Sequence, residues 1–160
     1  MSLTIEPVMQ YLHAVAVAIL LGKVVLLSFV VAPILAKNLE REAFGKVVRE
    51  LFPAYYRLGM ATAAVGLVSV TGLLTLQGLN PSLLAAGGIW LVILAAESYC
   101  RSPLTPQSNA MRDRLKEQEQ RGAVDARLQA AWSRLHQRSI YLNSIVLLGG
   151  LSLLGVARQF

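Results

Sequence analysis

The sequence predicts an all-α protein, an integral membrane four-helix bundle with amphipathic helices on its cytoplasmic side. Hydrophobic residues make up 55% of the 160 residues, charged residues only 15%, and the mean hydropathy is +0.54. Soluble domains average about 25% charged residues. The charges are also clustered, which leaves four tracts close in length to the ~20 apolar residues that cross a bilayer. We therefore expect one membrane domain over residues 1–160, with the lipid bilayer as its main partner.

The first predicted span, residues 8–35, contains one fully charged residue, Lys23. A lysine near the centre of a membrane helix costs roughly 2.5–3.5 kcal/mol, so Lys23 is expected to face the bundle. Pro33 is expected to kink or end this helix because proline lacks an amide hydrogen. The following segment, 36–51, has apolar residues at three- and four-residue spacing, which predicts an amphipathic helix along the membrane surface.

Small residues and a short turn organise the second and third spans, residues 54–79 and 83–100. Phe52-Pro53 is expected to end the surface helix before the second span begins. The uncharged turn that follows the second span contains Asn80-Pro81 and predicts a tight hairpin. Two small-xxx-small pairs, which permit close approach of membrane helices, are Gly59 with Ala63 and Thr62 with Gly66.

A long polar segment separates the third span from the fourth. Two prolines in 102–106 are expected to end the third span. We expect the polar residues after them to form two helical pieces, 107–120 and 124–138, divided at Gly122. Because no helix breaker follows the second piece, it is expected to continue into the fourth span, 139–156.

The distribution of the basic residues predicts the orientation of the chain. Of the fifteen Lys and Arg residues, five lie in 37–57 and eight in 101–138. Basic segments beside apolar spans are typical of the cytoplasmic side. The loops 36–53 and 101–138 are therefore expected in the cytoplasm, with both termini outside, in the plasma (inner) membrane. The same distribution accounts for the net charge of +6 without a nucleic-acid partner.

Glu97 is the only acidic residue within a predicted span, and two partners for it stay open. Arg101 follows four residues later on the same helix face, which favours a Glu97–Arg101 contact. Lys23 lies at nearly the same depth as Glu97 when both spans are counted from their outer ends. A Lys23–Glu97 pair is therefore the alternative.

Polar residues of several spans map near the cytoplasmic boundary and predict a polar cavity open to the cytoplasm. On the fourth span, His136, Ser139 and Asn143 form a polar stripe at three- and four-residue spacing. Neither catalytic residues nor metal ligands are predicted. The residues expected to bind a small solute or ion in the cavity are Lys23, Tyr56, Glu97, Arg101, His136 and Asn143.

The function that these patterns favour is binding or translocation of a small solute or ion through the cavity, with a homo-oligomer expected if a pore exists. Two alternatives stay open: a membrane-embedded haem- or metal-linked redox enzyme, and a non-catalytic assembly or scaffold protein. Haem or a metal is disfavoured as a cofactor because the two histidines, His13 and His136, are expected far apart across the bilayer. The chain also lacks phosphate-loop, nucleophile-elbow and zinc-protease motifs.

Four stretches cover most of the chain: GKVVLLSFVVAPIL, AFGKVVRELFPAYYRL, ESYCRSPLTPQSNAMRDR and LHQRSIYLNSIVLLGGL. Together they resemble the transmembrane protein 205-like family of small four-span membrane proteins. More distantly, the layout is similar to four-span copper-resistance D-like and haem-pathway membrane proteins. The resemblance implies a four-helix membrane bundle and no particular reaction. For the haem-pathway relatives, it implies His13 as the candidate ligand.

Overall fold

A computed structural model describes residues 2–122 and 124–159, with side-chain environments from residue 5 onward. Met1, Ala123 and Phe160, which the predicted domain also includes, lie outside the described residues. The elements are α1 (Ser2–Val25), a first π-helical turn (Leu26–Val31), α2 (Ala32–Asn38), α3 (Arg41–Gln77), α4 (Pro81–Tyr99), a second π-helical turn (Cys100–Leu104), α5 (Thr105–Gln120), α6 (Ala126–Val156) and a short 3₁₀ turn (Ala157–Gln159). No strand occurs in the described ranges, so the all-α prediction is confirmed.

The elements combine into four long helical stretches, because each π-helical turn continues one α-helix into the next. Each stretch is long and apolar enough to cross a membrane. This agrees with a membrane bundle of four helices. The four stretches are Ile5–Asn38, Arg41–Gln77, Pro81–Gln120 and Ala126–Gln159.

The helices pack as a closed ring. Both α1 and α4 contact α3 and α6, so each helix has two neighbours and its inner face points to a common core. The fully buried side chains of that core are large and mostly apolar, whereas many large apolar side chains on the outer faces are exposed, as on a lipid-facing surface. The core includes Leu20, Leu73, Leu83, Trp90, Ile93 and Leu153.

The helix ends predicted at Pro53 and Pro103 are wrong, and of the kink or end expected at Pro33 the end is not found. The helix continues through Pro33 to Asn38, through Pro53 within α3, and through Pro103 into α5. Pro33 follows one π-helical turn and Pro103 lies within the other. The wider π turn changes the hydrogen-bond register, which accommodates the missing amide hydrogen and the ring of proline.

No π turn accompanies Pro53, and α3 continues there as an α-helix. Aromatic packing holds the two sides of this proline together. The ring of Phe52 stacks on that of Tyr56, one turn later, with centroids 5.7 Å apart and planes 15° from parallel. Packing of this kind lets a membrane helix retain a proline that would break an isolated helix.

The segment 36–51 is helical, as predicted, but it does not form one separate surface helix. Its first residues end α2 and its later residues begin α3. The break falls at Leu39, which is extended (φ −108°, ψ 139°), and at Glu40 with ψ 153°. The side chain of Asn38 donates to the carbonyl of Ile34 at 2.8 Å, which satisfies an end carbonyl of α2.

Two predicted turns are confirmed. In the hairpin, the side chain of Asn80 accepts a hydrogen bond from the amide of Ser82 at 2.9 Å, which caps α4. Gly122 follows the end of α5 with φ 75°, a left-handed conformation that glycine adopts without strain. Asp125 then caps α6 by accepting from the amide of Arg127 at 2.8 Å. As predicted, α6 runs without interruption into the fourth span.

Candidate functional site

An ion pair between Lys23 of α1 and Glu97 of α4 lies in the middle of the bundle. Lys23 Nζ and Glu97 Oε1 are 2.5 Å apart, and the two side chains are 4% and 1% exposed. The favoured Glu97–Arg101 contact is therefore wrong, and the alternative partner is found. Arg101 is exposed because the second π-helical turn begins one residue before it and alters the angular register after α4.

Helix α3 supplies the surface against which this pair packs. Lys23 Nζ lies 3.8 Å from the centre of the Tyr55 ring, a cation–π distance. It also donates to the backbone carbonyl of Tyr55 at 3.5 Å. One turn further along α3, a Cβ on Gly59 would overlap both the carboxyl group of Glu97 and Lys23 Nζ. The absence of a side chain at Gly59 therefore makes room for the ion pair.

The fourth span joins the cluster through hydrogen bonds to two tyrosines. Tyr55 Oη donates to Asn143 Oδ1 at 3.1 Å, and Tyr56 Oη lies 3.2 Å from Ser139 Oγ. Asn143 Nδ2 also donates to the carbonyl of Ser139 at 3.1 Å. The prediction that polar members of the α6 stripe face protein is confirmed for these two residues. All four helical stretches thus contribute to one polar cluster.

One oxygen of this cluster has an unused hydrogen-bonding capacity. Glu97 Oε2 is buried, and within the described part of the chain it has no hydrogen-bond partner. A buried polar atom without a partner is costly and calls for an explanation. Chemically, this oxygen can accept a proton or a donor from a small ligand.

His136 is not part of the cluster. It is exposed and stacks on Trp132, with ring centroids 5.6 Å apart and planes 4° from parallel. Although His136 shares the helix face of Asn143, it lies where α6 extends past the ring of four helices and packs beside α5. The helical periodicity predicts which face of α6 a residue occupies, but it does not predict at which height along α6 the neighbouring helices cover that face.

Two cavities of the structure are lined by residues other than those predicted to bind a solute. They have volumes of about 410 Å³ each and lie between α3 and α5 and between α5 and α6. None of the six predicted site residues lines either of them. In this structure, Lys23, Tyr56 and Glu97 are buried and Asn143 is half-buried. These four form a packed cluster, so their role in binding a solute stays a prediction.

A second polar contact lies nearer the start of α1. His13 is 1% exposed, its Nδ1 accepts from Trp90 Nε1 at 3.4 Å, and Ser69 Oγ is also 3.4 Å from that atom. His13 and Trp90 meet edge to face, 5.8 Å apart and 85° from parallel. This contact supports the expectation that His13 is hydrogen-bonded, and it shows that the bundle buries the residue.

The two histidines lie far apart, as predicted. A Cβ on Gly150 would touch Leu20 and Leu21, so these residues mark the same level of α1 and α6. His13 lies seven residues before Leu20 and His136 lies fourteen residues before Gly150. Because α1 and α6 run antiparallel, the axial separation is about 30 Å. One haem cannot bind both side chains across this distance.

The sequence did not point to Ser69 or Trp90 of these clusters, and it placed Tyr55 near the cytoplasmic boundary without a binding role. Tyr55 had a signal, since it is adjacent to the predicted Tyr56 and one turn before Gly59. Ser69 and Trp90 are ordinary residues of apolar spans, and no local pattern distinguishes them. Among the described residues, no group of three His, Cys, Asp or Glu side chains could hold a metal ion.

These features define a class: an all-helical membrane protein whose four-helix bundle encloses a polar cluster built around one ion pair. The chain belongs to the family described as Domain of unknown function (DUF4149), whose model matches residues 15–117. The match includes Lys23, Tyr55 and Glu97, whereas Ser139 and Asn143 follow it. No curated protein sequence matches the chain significantly, and no solved structure does so.

Proposed function

We propose that this membrane protein binds a small solute or ion at the Lys23–Glu97 pair and translocates it across the bilayer. The observation that carries the proposal is an ion pair whose side chains are 4% and 1% exposed between two apolar helices. Charged residues within membrane spans are expensive and commonly mark ion or substrate pathways. A purely structural contact between these helices would be met at lower cost by apolar side chains.

Binding at this site works by exchange of partners. A small anion replaces Glu97 at Lys23 Nζ, whereas a proton or another cation replaces Lys23 at the carboxylate. Glu97 Oε2, which lacks a hydrogen-bond partner among the described residues, gives such a ligand a first contact. Either exchange breaks the ion pair that links α1 to α4 across the ring, so binding is coupled to the packing of these two helices on α3.

Translocation requires a second arrangement in which the cluster opens to one side. The two tyrosine contacts to α6 are suited to this change, because each is a single hydrogen bond between neutral groups. Such bonds contribute only about 0.5–1.5 kcal/mol each. Separation of α6 from Tyr55 and Tyr56 would expose the ion pair without breaking the α3–α4 hairpin.

The proposal includes an orientation and a location. We place the protein in the plasma (inner) membrane, with both termini outside and the basic segments in the cytoplasm, on the basis of the charge distribution. The resemblance to the transmembrane protein 205-like family supports a four-span membrane protein and carries no reaction with it. Because four helices are few for a pore, we propose that translocation occurs in a homo-oligomer.

Flux into liposomes tests the proposal with two probes. Purified protein is reconstituted into vesicles that contain pyranine, for protons, or lucigenin, for chloride, and a potassium gradient with valinomycin supplies the driving force. We expect the wild type to move at least one ion faster than protein-free vesicles. Lys23→Met and Glu97→Gln should each lower that rate about tenfold, which corresponds to roughly 1.4 kcal/mol.

The matched control is Glu50→Gln, which neutralises an exposed acid on α3 and should leave the rate unchanged. Size-exclusion chromatography and circular dichroism establish that each variant is folded. Rates equal to those of protein-free vesicles for both probes would contradict ion translocation. An equal rate in all folded variants would contradict the role of the pair.

A further inference from the structure

A groove outside the ion-pair cluster has the properties of an anion site. It has a volume of about 410 Å³ and lies between the start of α3 and α5, with Trp132 of α6 on its wall. Three acidic side chains and five basic ones line it, so its formal charge is +2. The basic residues are Arg41, Lys46, Arg49, Arg112 and Lys116.

Ion pairs within the groove engage three of the five basic side chains. Arg41 pairs with Glu119 at 3.0 Å, Arg49 with Asp113 at 2.5 Å, and Lys116 with Glu42 at 2.7 Å. Lys46 makes a longer contact of 3.7 Å to Glu42, which Lys116 already occupies. Three acids are therefore used by three bases, and two cations, Lys46 and Arg112, remain without an acid of their own.

Arg112 is the less compensated of these two cations. Within the described ranges it forms no salt bridge, and Arg112 Nη2 donates to the backbone carbonyl of Arg41 at 3.2 Å. It is half-buried, and burial together with the nearby charges of Arg41 and Arg49 outweighs the attraction of Asp113 and Glu119 and lowers its pKa. A partly desolvated guanidinium among other cations is unfavourable unless an anion joins it.

The backbone of α3 leaves room for this arrangement at Gly45. A Cβ on Gly45 would lie 2.6 Å from Arg112 Nη2, so a larger residue would displace the guanidinium. The glycine lets Arg112 lie flat against α3. In this position the planar fork of donors can face into the groove, the geometry that arginine uses to hold two oxygens of one phosphate.

We propose that the groove binds the phosphate group of an anionic phospholipid. Arg49 precedes the predicted second span by five residues, and the groove therefore lies at the end of the apolar helices where lipid headgroups gather. The half-buried indole of Trp132 is typical of the same interfacial level. This site is separate from the Lys23–Glu97 cluster and does not depend on its function.

Native mass spectrometry of the purified full chain in detergent tests the proposal. The probes are a phosphatidylglycerol and a phosphatidylcholine with identical acyl chains, and calorimetry with inorganic phosphate supplies the soluble comparison. We expect phosphatidylglycerol to bind at least tenfold more tightly than phosphatidylcholine, with no measurable binding of phosphate. Arg112→Gln should weaken phosphatidylglycerol binding about tenfold, and Arg112→Lys should lie between the two because it keeps charge but loses the fork.

Two arginines outside the groove are matched controls. Arg121→Gln removes an exposed charge at the end of α5, and Arg134→Gln removes one that lines the second cavity. Both should leave phosphatidylglycerol binding within twofold of the wild type. Equal affinity for the two lipids, phosphate binding as tight as lipid binding, unchanged binding in folded Arg112→Gln, or a loss only in Arg134→Gln would each overturn the proposal.

Discussion

At the scale of single residues, the Lys23–Glu97 pair places two opposite charges in the buried core of the bundle. Each charge is buried because its partner is buried, and Tyr55 covers the ammonium group with its ring. Transfer of an isolated charge into such an environment is strongly unfavourable, so the cost of losing one partner exceeds the net worth of the pair. The ion pair therefore links α1 to α4 across the ring of helices.

The energetic role of the pair can be measured by a double-mutant cycle. Lys23→Met and Glu97→Met should each destabilise the folded protein by roughly 3–5 kcal/mol, because each leaves one buried charge without a partner. The double variant should be more stable than either single variant. Unfolding in mixed detergent and denaturant, followed by circular dichroism, gives the free energies.

The exposed pair of Lys46 and Glu42, 3.7 Å apart on α3, is the control for this cycle. An exposed pair of this kind contributes about 0.3–0.5 kcal/mol. Additive effects at Lys23 and Glu97 would show that the two side chains do not interact energetically. That result would also remove the main support for the exchange mechanism.

At the scale of the elements, a face of small residues lets α3 pack closely against its neighbouring helices. Gly59, Thr62, Ala63 and Gly66 are all buried, which confirms the prediction from their spacing. The two glycines have different neighbours: Gly59 accommodates the ion pair, and Gly66 lies against the ring of Trp90. Close helix approach in membranes rests on such contacts, since apolar burial between helices gains little relative to lipid.

Substitution of Gly66 by alanine, compared with the same substitution at Gly88, distinguishes the effect of helix packing on stability from the effect of helix propensity. A Cβ at Gly66 would overlap the ring of Trp90, which is fully buried and cannot move aside. Gly66→Ala should therefore destabilise the protein by about 1–3 kcal/mol, the usual cost of overpacking. The measurement is the shift in the thermal unfolding midpoint of protein in detergent.

Gly88 of α4 is the matched position, because a Cβ there would meet nothing within 4 Å. Gly88→Ala should leave stability unchanged or raise it by up to about 1 kcal/mol through helix propensity alone. A stable Gly66→Ala variant would mean that α3 and α4 pack less closely than the structure shows.

At the scale of the whole molecule, the hairpin turn and the basic segments lie at opposite ends of the four-helix bundle. The turn between α3 and α4 lies at one end of the ring, and the connection between α5 and α6 lies at the other. Leu79 in the turn is 88% exposed, and Arg121 after α5 is also exposed. Both positions are accessible to a labelling reagent.

Cysteine labelling in intact cells tests this topology. Cys100, the single cysteine, is first replaced by serine, and Leu79→Cys or Arg121→Cys is then introduced. The proposed orientation predicts that a membrane-impermeant maleimide labels Leu79→Cys in intact cells and Arg121→Cys only after permeabilisation. Labelling of both from outside would contradict four spans, and the reverse pattern would invert the orientation.

The sequence by itself determined the features that depend on local chemistry. Tract length and clustered charge predicted four helices, and Asn80 and Gly122 marked two of the turns because of their capping and backbone preferences. The tertiary structure alone decided which charged residues meet. Helical spacing favoured Arg101 as the partner of Glu97, yet Arg101 is exposed in a π turn, and the packing of both α1 and α4 on α3 brought Lys23 to Glu97. Partner choice depends on the faces and levels at which helices pack, and these are not properties of any one segment.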